Sequence, residues 1–158
     1  MTNDDGLPAT HLLKALYDAW TARDAAAIAA LFDQDDAEVS YLDAGEIDPW
    51  RGAPAVAQHV AQKCARHSRF VFKIHAPRSR RLADDLASVF AVVDRGEGTP
   101  LEAERIRVTL IARKRGDAWK ICHYAEAPKA PLIELQAFYE SVAAEGLESI
   151  PPRPWGRS

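Results

Sequence analysis

One histidine close to the end of the chain is the side chain best suited to acid–base chemistry. His123 lies in the stretch WKICHYAEA, residues 119–127, whose alternation predicts a strand. An imidazole has an unperturbed pKa of about 6.5, so it can exchange a proton at neutral pH. The same alternation puts His123 on one strand face with Trp119 and Ile121, which is equally typical of packing in a sheet. His123 is therefore a candidate base, with packing as the alternative.

A guanidinium on the preceding predicted strand is suited to binding a carboxylate. Arg107 belongs to residues 101–115, in which the opposite strand face is purely apolar: Ile106, Val108, Leu110 and Ala112. If the Arg107 face looks into a cavity, its planar fork can bind both oxygens of a carboxylate ligand. If it looks outward, as we favour, its arginines lie at a dimer contact and pair with acids such as Glu102 or Glu104. The sequence leaves both orientations open.

Four aromatic side chains are candidates for the wall of an apolar pocket. Tyr17 and Trp20 belong to the first predicted helix, and Tyr41 and Trp50 follow the second. Pockets for small molecules combine such apolar surface with a few polar groups. Together with the histidine and the arginine above, these aromatics form the predicted ligand site. Plain core packing is the alternative for each of them.

No residue pattern predicts a metal, a cofactor or nucleotide chemistry. His59 and His67 are eight residues apart, and no carboxylate completes a familiar zinc spacing. The phosphate-binding glycine loops and the GxSxG motif are absent from the sequence. Cys64 and Cys122 fit no CxxC pattern, so reduced thiols are predicted. The expectation is therefore no metal and no cofactor.

Length and charge indicate one small globular domain. The chain has 158 residues and a formal net charge of -3, which is enough for one core and too short for two ordinary domains. The mild acidity predicts neither nucleic acid nor a membrane surface as a partner. The most basic stretch, with Arg78, Arg80 and Arg81, is interpreted as a solvated turn between strands. No signal peptide or membrane span is apparent, so a cytoplasmic location is expected.

Apolar periodicity predicts helices first and strands later. The first helix starts with Thr10 as N-cap, the second starts at Asp24, and the third has Pro54 in its first turn. A first strand follows the second helix. After the third helix, four alternating or apolar segments predict a meander of antiparallel strands, with connections at 95–100 and 115–117.

The strand that begins at Leu86 is apolar on both faces. An antiparallel sheet with one solvated face alternates apolar and polar residues, so both faces of this strand are expected to be dry. The predicted helices suffice to cover one face only. A second copy is the economical cover for the other. The sequence therefore predicts a homodimer through the sheet faces.

Beyond the meander the pattern predicts one more helix and an irregular tail. Pro131 suits the first turn of a helix and Gly146 its end. Its apolar stripe packs on its own subunit or on a partner, and consists of Leu132, Leu135, Phe138, Tyr139 and Val142. The final IPPRPWGRS is too rich in proline for regular structure. The expected organisation is a tail at 1–9, a domain at 10–127 and this extension at 128–158.

The order of these elements and three local motifs resemble the nuclear transport factor 2-like superfamily. AWTARDAAAIAALFDQDDAEV at 19–39 is similar to its opening, and Gly52 with the following helix to its G-x-x-A/E-I element. RVTLIARKRGDAWKICHYAEA at 107–127 resembles its closing hairpin. The nearest types are the SnoaL-like domain and the calcium/calmodulin kinase association domain. The resemblance implies a cystatin-like α+β fold, in which a conical curved antiparallel sheet wraps the N-terminal helices, here with an extra C-terminal helix.

The resemblance also implies a pocket at the open end of the cone. Steroid isomerases of the superfamily place there a carboxylate base, a tyrosine and a protonated aspartate. The position of the base falls on Tyr41, with Asp43 two residues further on. Leu16 occupies the position of the isomerase tyrosine, and the position of the acid lies near Arg107. This sequence therefore lacks all three catalytic groups of the isomerases. Glu126, just past the last strand, is either a carboxylate at the mouth of the pocket or a solvated residue, and we favour the second interpretation.

Three functions fit this pattern. The leading one is a SnoaL-like domain that binds a small apolar or carboxylate ligand, with catalysis left open. The first alternative is a polyketide-cyclase or ketosteroid-isomerase-type enzyme, with His123 as base and Tyr41 or Arg107 holding the oxyanion. The second is a protein-interaction or assembly module, as the kinase association domain is. The sequence does not decide whether the chain is an enzyme.

Overall fold

The computed structural model describes residues 7–98, 101–128, 136, 139–140 and 142–144. Two helices, two short strands, a third helix and four long strands follow one another. They are α1 (Pro8–Thr21), α2 (Ala25–Leu31), β1 (Ser40–Leu42), β2 (Trp50–Arg51), α3 (Ala53–Arg66), β3 (Phe70–Ala83), β4 (Leu86–Glu97), β5 (Glu102–Arg115) and β6 (Ala118–Pro128). The predicted α+β class is confirmed.

The helix starts follow from local sequence, with one difference from the prediction. α1 begins at Pro8, because proline fits a first turn, and its N-cap is Leu7 rather than Thr10. Asp24 caps α2 as predicted, by accepting a hydrogen bond from the amide of Ala27 (2.9 Å). Gly52 has a φ of 83°, which lets the chain turn sharply from β2 into α3.

The six strands form one sheet in the order β2-β1-β6-β5-β4-β3. β3 to β6 are antiparallel neighbours, which confirms the predicted meander, and β1 pairs in parallel with β6. β3 is longer than predicted: Arg78, Arg80 and Arg81 pair with residues 87–90 of β4. The interpretation of these arginines as a turn was therefore wrong. Pairing along the whole length of β4 carries β3 past the irregularity that follows His75.

The two sides of the sheet differ in burial. The inner side packs against the helices, chiefly α1, and its apolar rows on β4 and β5, including Val89, Val93 and Leu110, are fully buried. The outer side carries Phe90 and Val92 of β4, and Phe90 is 44% exposed. In the single chain the outer side of β4 is therefore not covered, and its predicted cover by a second copy stays a prediction.

The orientation of β5 follows from the same burial pattern. Arg107 pairs with Val92 and lies on the outer side, while Val108 is buried on the inner side. The favoured outward orientation is the one observed. Within one chain Arg105 makes an ion pair on this side, with its Nε 2.7 Å from Asp94, because Asp94 lies directly opposite it on β4. Glu104 pairs with Arg95 on the inner side, and pairing of the outer arginines with acids at a dimer contact stays a prediction.

A β-bulge in β6 decides which side His123 occupies. Ile111 pairs with His123 while Ala112 pairs with Ile121, so Cys122 is an extra residue on β6. The extra residue reverses the alternation: Ile121 is buried on the inner side, and His123 is half-buried on the outer side. The prediction of one shared face was wrong, because regular alternation takes no account of an extra residue. The next two side chains of β6 on the inner side are those of Tyr124 and Glu126, and both are buried.

The predicted C-terminal helix is described only in part. Residues 136, 139–140 and 142–144 are helical, and Tyr139 is 67% exposed. The predicted start at Pro131, the end at Gly146 and the proline-rich tail lie outside the described residues. Within the described residues, none of the helices has the length and apolar character needed to cross a membrane.

Candidate functional site

A cavity of about 500 Å³ opens at one end of the sheet. Its walls come from the loop after β1, from β2, from one face of α3 and from the ends of β4, β5 and β6. Nine of the fourteen lining residues are ionisable: Asp43, Glu46, His59, Lys63, Arg66, His67, Arg95, Glu97 and Glu104. The wall of this cavity is therefore mainly charged, and the apolar pocket stays a prediction. The strand ends and the last turns of α3 supply charged side chains where the sequence pattern suggested aromatic ones.

Arg95 on β4 is the central cation of this site. Its side chain is 7% exposed and pairs with Glu104 and Glu126, with Asp43 at 3.3 Å and with Glu97 at 3.5 Å. Burial disfavours the charged guanidinium, but the four carboxylates, Glu126 above all, outweigh burial and raise the pKa of Arg95. Arg95 therefore stays charged and holds together acids from three strands and a loop.

Asp43, in the loop directly after β1, is the ionised carboxylate of the cavity wall. It accepts a hydrogen bond from Nζ of Lys63 (2.6 Å) on α3, and its Oδ2 lies 3.4 Å from Nε2 of His59. Burial alone would raise the pKa of Asp43. His59 and the charges of Lys63 and Arg95 outweigh burial and hold that pKa well below its ordinary value.

A second carboxylate lies behind the wall. The side chain of Glu126 is 2% exposed, and it accepts hydrogen bonds from Arg95, from the amide of Ala44 (3.2 Å) and from the hydroxyl of Tyr124 (2.8 Å). The hydroxyl of Tyr124 lies 2.9 Å from that of Tyr17, so a hydrogen-bonded chain runs from α1 to the wall. Burial raises the pKa of Glu126 to about 7, against the opposing charge of Arg95. Glu126 can therefore both release and accept a proton near neutral pH.

His59 on α3 forms the aromatic part of the wall together with Trp50. Its ring centroid lies 5.0 Å from that of Trp50, with an interplanar angle of 22°, and 5.1 Å from that of Tyr41. Nε2 of His59 is buried and makes no well-directed hydrogen bond to the described residues, since its contact with Asp43 is long. The position of this imidazole is therefore set mainly by the two neighbouring rings.

The four aromatic residues predicted for the ligand site lie in two different parts of the molecule. Trp50 lines the cavity. Tyr17, Trp20 and Tyr41 are buried on the inner side of the sheet and do not belong to the cavity wall. Tyr17 still takes part in the site through its hydroxyl, and the ring of Tyr41 supports the ring of His59.

The histidine and the arginine predicted for the site both lie on the outer side, away from the cavity. Nδ1 of His123 is 2.7 Å from the hydroxyl of Ser40, and burial lowers the pKa of His123. Arg107 donates a long hydrogen bond to the carbonyl of Pro128 (3.5 Å). The structure therefore does not bring His123 or Arg107 together with the carboxylates described above.

Two of the principal residues of the site are absent from the sequence-based prediction. The sequence places Arg95 in a connection because glycines follow it, whereas β4 continues to Glu97. The interpretation of Glu126 as a solvated residue was wrong, since its contacts bury it. A signal for Arg95 exists in the alternation itself: it continues the inner row of Ala91 and Val93.

The sequence matches one known domain family over most of its length. The family described as the SnoaL-like domain matches residues 10–130. The chain belongs to the SnoaL-like domain family. The resemblance to the nuclear transport factor 2-like superfamily is thereby confirmed, while the boundaries predicted at 10–127 stay a prediction. SnoaL-like and related domains commonly form dimers and bind small molecules. No curated protein gives a significant sequence match.

Solved structures similar to this SnoaL-like chain share its fold. An uncharacterised protein with a cystatin-like fold from Caulobacter vibrioides is 17% identical, with a TM-score of 0.69 over 87% of this chain and 96% of its own. A ketosteroid isomerase-like protein from Erwinia carotovora atroseptica is 14% identical, with a TM-score of 0.65 over 82% and 99%. A Thiobacillus denitrificans protein, provisionally assigned as a calcium/calmodulin-dependent protein kinase type II association domain, is 24% identical, with a TM-score of 0.61 over 75% and 93%. At these identities the likeness concerns the fold alone.

Proposed function

We propose that this SnoaL-like domain binds a small carboxylate-bearing molecule in the cavity at the end of its sheet. The observation that carries the proposal is the charged wall, which encloses about 500 Å³, a volume suited to a small molecule. Asp43, Lys63 and Arg95 are tied to one another by ion pairs. Arg66 lines the same cavity and makes no ion pair with the described residues, so it is the cation available to a ligand carboxylate. Trp50 adds apolar surface.

Calorimetric titration with a panel of monocarboxylates, from acetate to naphthoate, tests this proposal. We expect an aromatic member of the panel to bind, and Arg66→Met to weaken its binding about tenfold, equivalent to about 1.4 kcal/mol. Arg69→Met is the matched control, because Arg69 is exposed and outside the cavity lining. The proposal fails if no member of the panel binds, or if both arginine variants weaken binding equally.

A second candidate function is proton transfer next to a carbonyl group, of the polyketide-cyclase or ketosteroid-isomerase type. The favouring observation is the pairing of two carboxylates with different proton affinities. Asp43 is ionised and faces the cavity, and Glu126 lies behind it with a pKa of about 7. In this mechanism Asp43 takes the proton from carbon, the electron pair of that C–H bond moves onto the carbonyl oxygen, and Lys63 or Arg66 of the wall faces the enolate oxygen that forms.

Deuterium exchange at the carbon atoms beside the carbonyl of cyclohexanone, followed by NMR, tests the second candidate. We expect the wild type to exceed the uncatalysed rate, Asp43→Asn to abolish this excess, and His123→Ala to retain it, because His123 lies on the outer side. Loss of exchange in His123→Ala alone would return the role of base to the histidine. A wild type that does no better than buffer would count against an enzyme of this type.

We infer as well that the chain forms a homodimer through the outer side of its sheet. Phe90 is 44% exposed and Val71 is 37% exposed on that side, and exposed apolar groups that share one surface mark contacts with other molecules. The assembly-module alternative would use the same surface. The absence of metal and cofactor, the absence of nucleic-acid and membrane partners, and the cytoplasmic location stay predictions.

A further inference from the structure

The outer side of β3, β4 and the first half of β5 carries a strongly basic surface, although the whole chain is acidic. We call this surface the basic face; its outward strand positions hold the exposed cations Lys73, Arg78, Arg80, Arg105 and Arg107. The acid among these positions is Asp94. The formal net charge of the chain is -3. Five of the 20 lysines and arginines of the chain therefore share one surface with a single acid.

The single acid of the basic face already has partners. Asp94 accepts hydrogen bonds from Nε of Arg105 (2.7 Å) and lies 2.7 Å from Nε2 of His75. The register places Phe90 directly opposite Arg78, so an exposed aromatic ring lies among the cations. A partner for this surface must therefore bring both apolar groups and negative charge.

Direct contact between two basic faces, with nothing between them, does not supply the negative charge that this surface requires. A two-fold dimer places the same surface on both subunits, so each basic face would meet its own copy. Five cations would then oppose five cations with one acid on each side, and that acid is already occupied. Like charges brought together across an interface are unfavourable. The proposed homodimer therefore needs an acidic layer between the two sheets.

The C-terminal part of the chain has the complementary composition. Residues 130–150 contain four glutamates, no lysine, arginine or aspartate, and an apolar residue at every third or fourth position over much of their length. The part of it that the structure describes is helical, and Gln136 donates a hydrogen bond to Glu140 (2.8 Å). We call residues 130–150 the acidic segment. In the sequence it begins two residues after the end of β6 at Pro128.

The acidic segment is long enough to cross the basic face. Sixteen residues in helical form span about 24 Å, whereas the three strands of the basic face span about 10 Å between the outer two. In the single chain the basic face is open to solvent, with Phe90 44% exposed. Exchange of segments between two copies would cover it.

We propose that the acidic segment of one copy lies across the basic face of a second copy, reciprocally, in a two-fold dimer. The apolar stripe of the segment covers Phe90 and Val71, and its glutamates oppose the cations around them. This inference rests on the homodimer proposed above and specifies how the dimer is held together. The surfaces involved are separate from the cavity at the end of the sheet.

Two charge-reversed chains test the exchange. The face variant carries Arg78→Glu and Arg80→Glu, and the segment variant carries Glu134→Lys and Glu140→Lys. We expect each variant alone to dissociate at least tenfold more readily than the wild type in analytical ultracentrifugation, because the two reversed charges of each variant meet like charges in its own dimer. In an equimolar mixture both contacts are again complementary, so a mixed dimer should form with an affinity close to that of the wild type.

Each alternative gives a different result. If the segment variant alone dimerises as the wild type does, the sheets meet without the segment, and this inference fails while the homodimer stands. If mixing the variants restores nothing, the segment covers its own subunit, and the exchange is refuted. If the wild type is monomeric at every concentration measured, the homodimer and this inference fail together. Arg69→Glu with Glu38→Lys, at exposed positions off the basic face, is the matched control and should dimerise normally.

Discussion

Replacing Arg95 with methionine is expected to lower the free energy of unfolding by about 3–5 kcal/mol, the range for a buried ion pair that loses one partner. Methionine fills a similar volume but leaves Glu126 and Asp43 buried without their shared cation. Urea denaturation above pH 7, where Glu126 is ionised, measures the change. The comparison is Arg105→Met, which removes an exposed pair with Asp94 and should leave stability nearly unchanged.

The size of the loss in free energy of unfolding shows whether Arg95 is needed to hold the strand ends together. Arg95 contacts acids of β4, β5 and β6 and of the loop after β1, so its loss frees several elements at the end of the sheet. A loss no greater than that of Arg105→Met would mean that water or rearranged side chains replace the guanidinium. The ion-pair network would then not be what shapes the cavity.

Replacing Glu126 with glutamine is expected to change how stability depends on pH. In the folded protein Glu126 keeps its proton up to about pH 7, whereas its ordinary pKa is 4.5. Between these values the native state binds more protons than the unfolded state, so this carboxyl makes wild-type stability fall as pH rises. Over the window the fall amounts to roughly 3 kcal/mol. Glutamine cannot ionise, so this contribution disappears from the variant.

Thermal or urea unfolding of both proteins at several values between pH 4.5 and 7 measures this difference. Burial lowers the pKa of His123, so this histidine makes stability rise with pH, in the direction opposite to Glu126. Subtracting the two curves removes this contribution because both proteins contain the histidine. Asp43 does not interfere, because its stabilising contribution is lost only as pH falls below its ordinary pKa of 3.8. Glu38→Gln, at an exposed position, is the control. Parallel curves for wild type and Glu126→Gln would show that Glu126 is ionised throughout.

Several features that depend only on neighbouring residues within one element were predicted correctly from the sequence. The stripe of α1 and the cap at Asp24 each depend on neighbours within one turn. The hairpin between β5 and β6 depends on Gly116, whose φ of 59° suits the tight turn. The order of these elements sufficed to indicate the α+β fold, which the SnoaL-like family match and the structure confirm.

The candidate site was predictable only in part. Trp50 lines the cavity, whereas His123 and Arg107 lie on the outer side of the sheet, and the ligand-binding role predicted for the three residues stays a prediction. One extra residue at Cys122 turns His123 outward and Glu126 inward, and no local signal in the sequence marks that extra residue. Strand alternation states which residues share a side, but it does not state which side faces the helices.

What the sequence by itself determined is the family, the fold class and the succession of helices and strands, because these depend on periodicities within short segments. Only the tertiary structure decided that four acids gather around Arg95, that Glu126 is buried, and that the cations of β3 and β5 form one surface. The physical reason is that burial and charge pairing depend on strand register and on contacts between distant segments. A shift of one residue exchanges the two sides of a strand and, with them, the residues that can do chemistry.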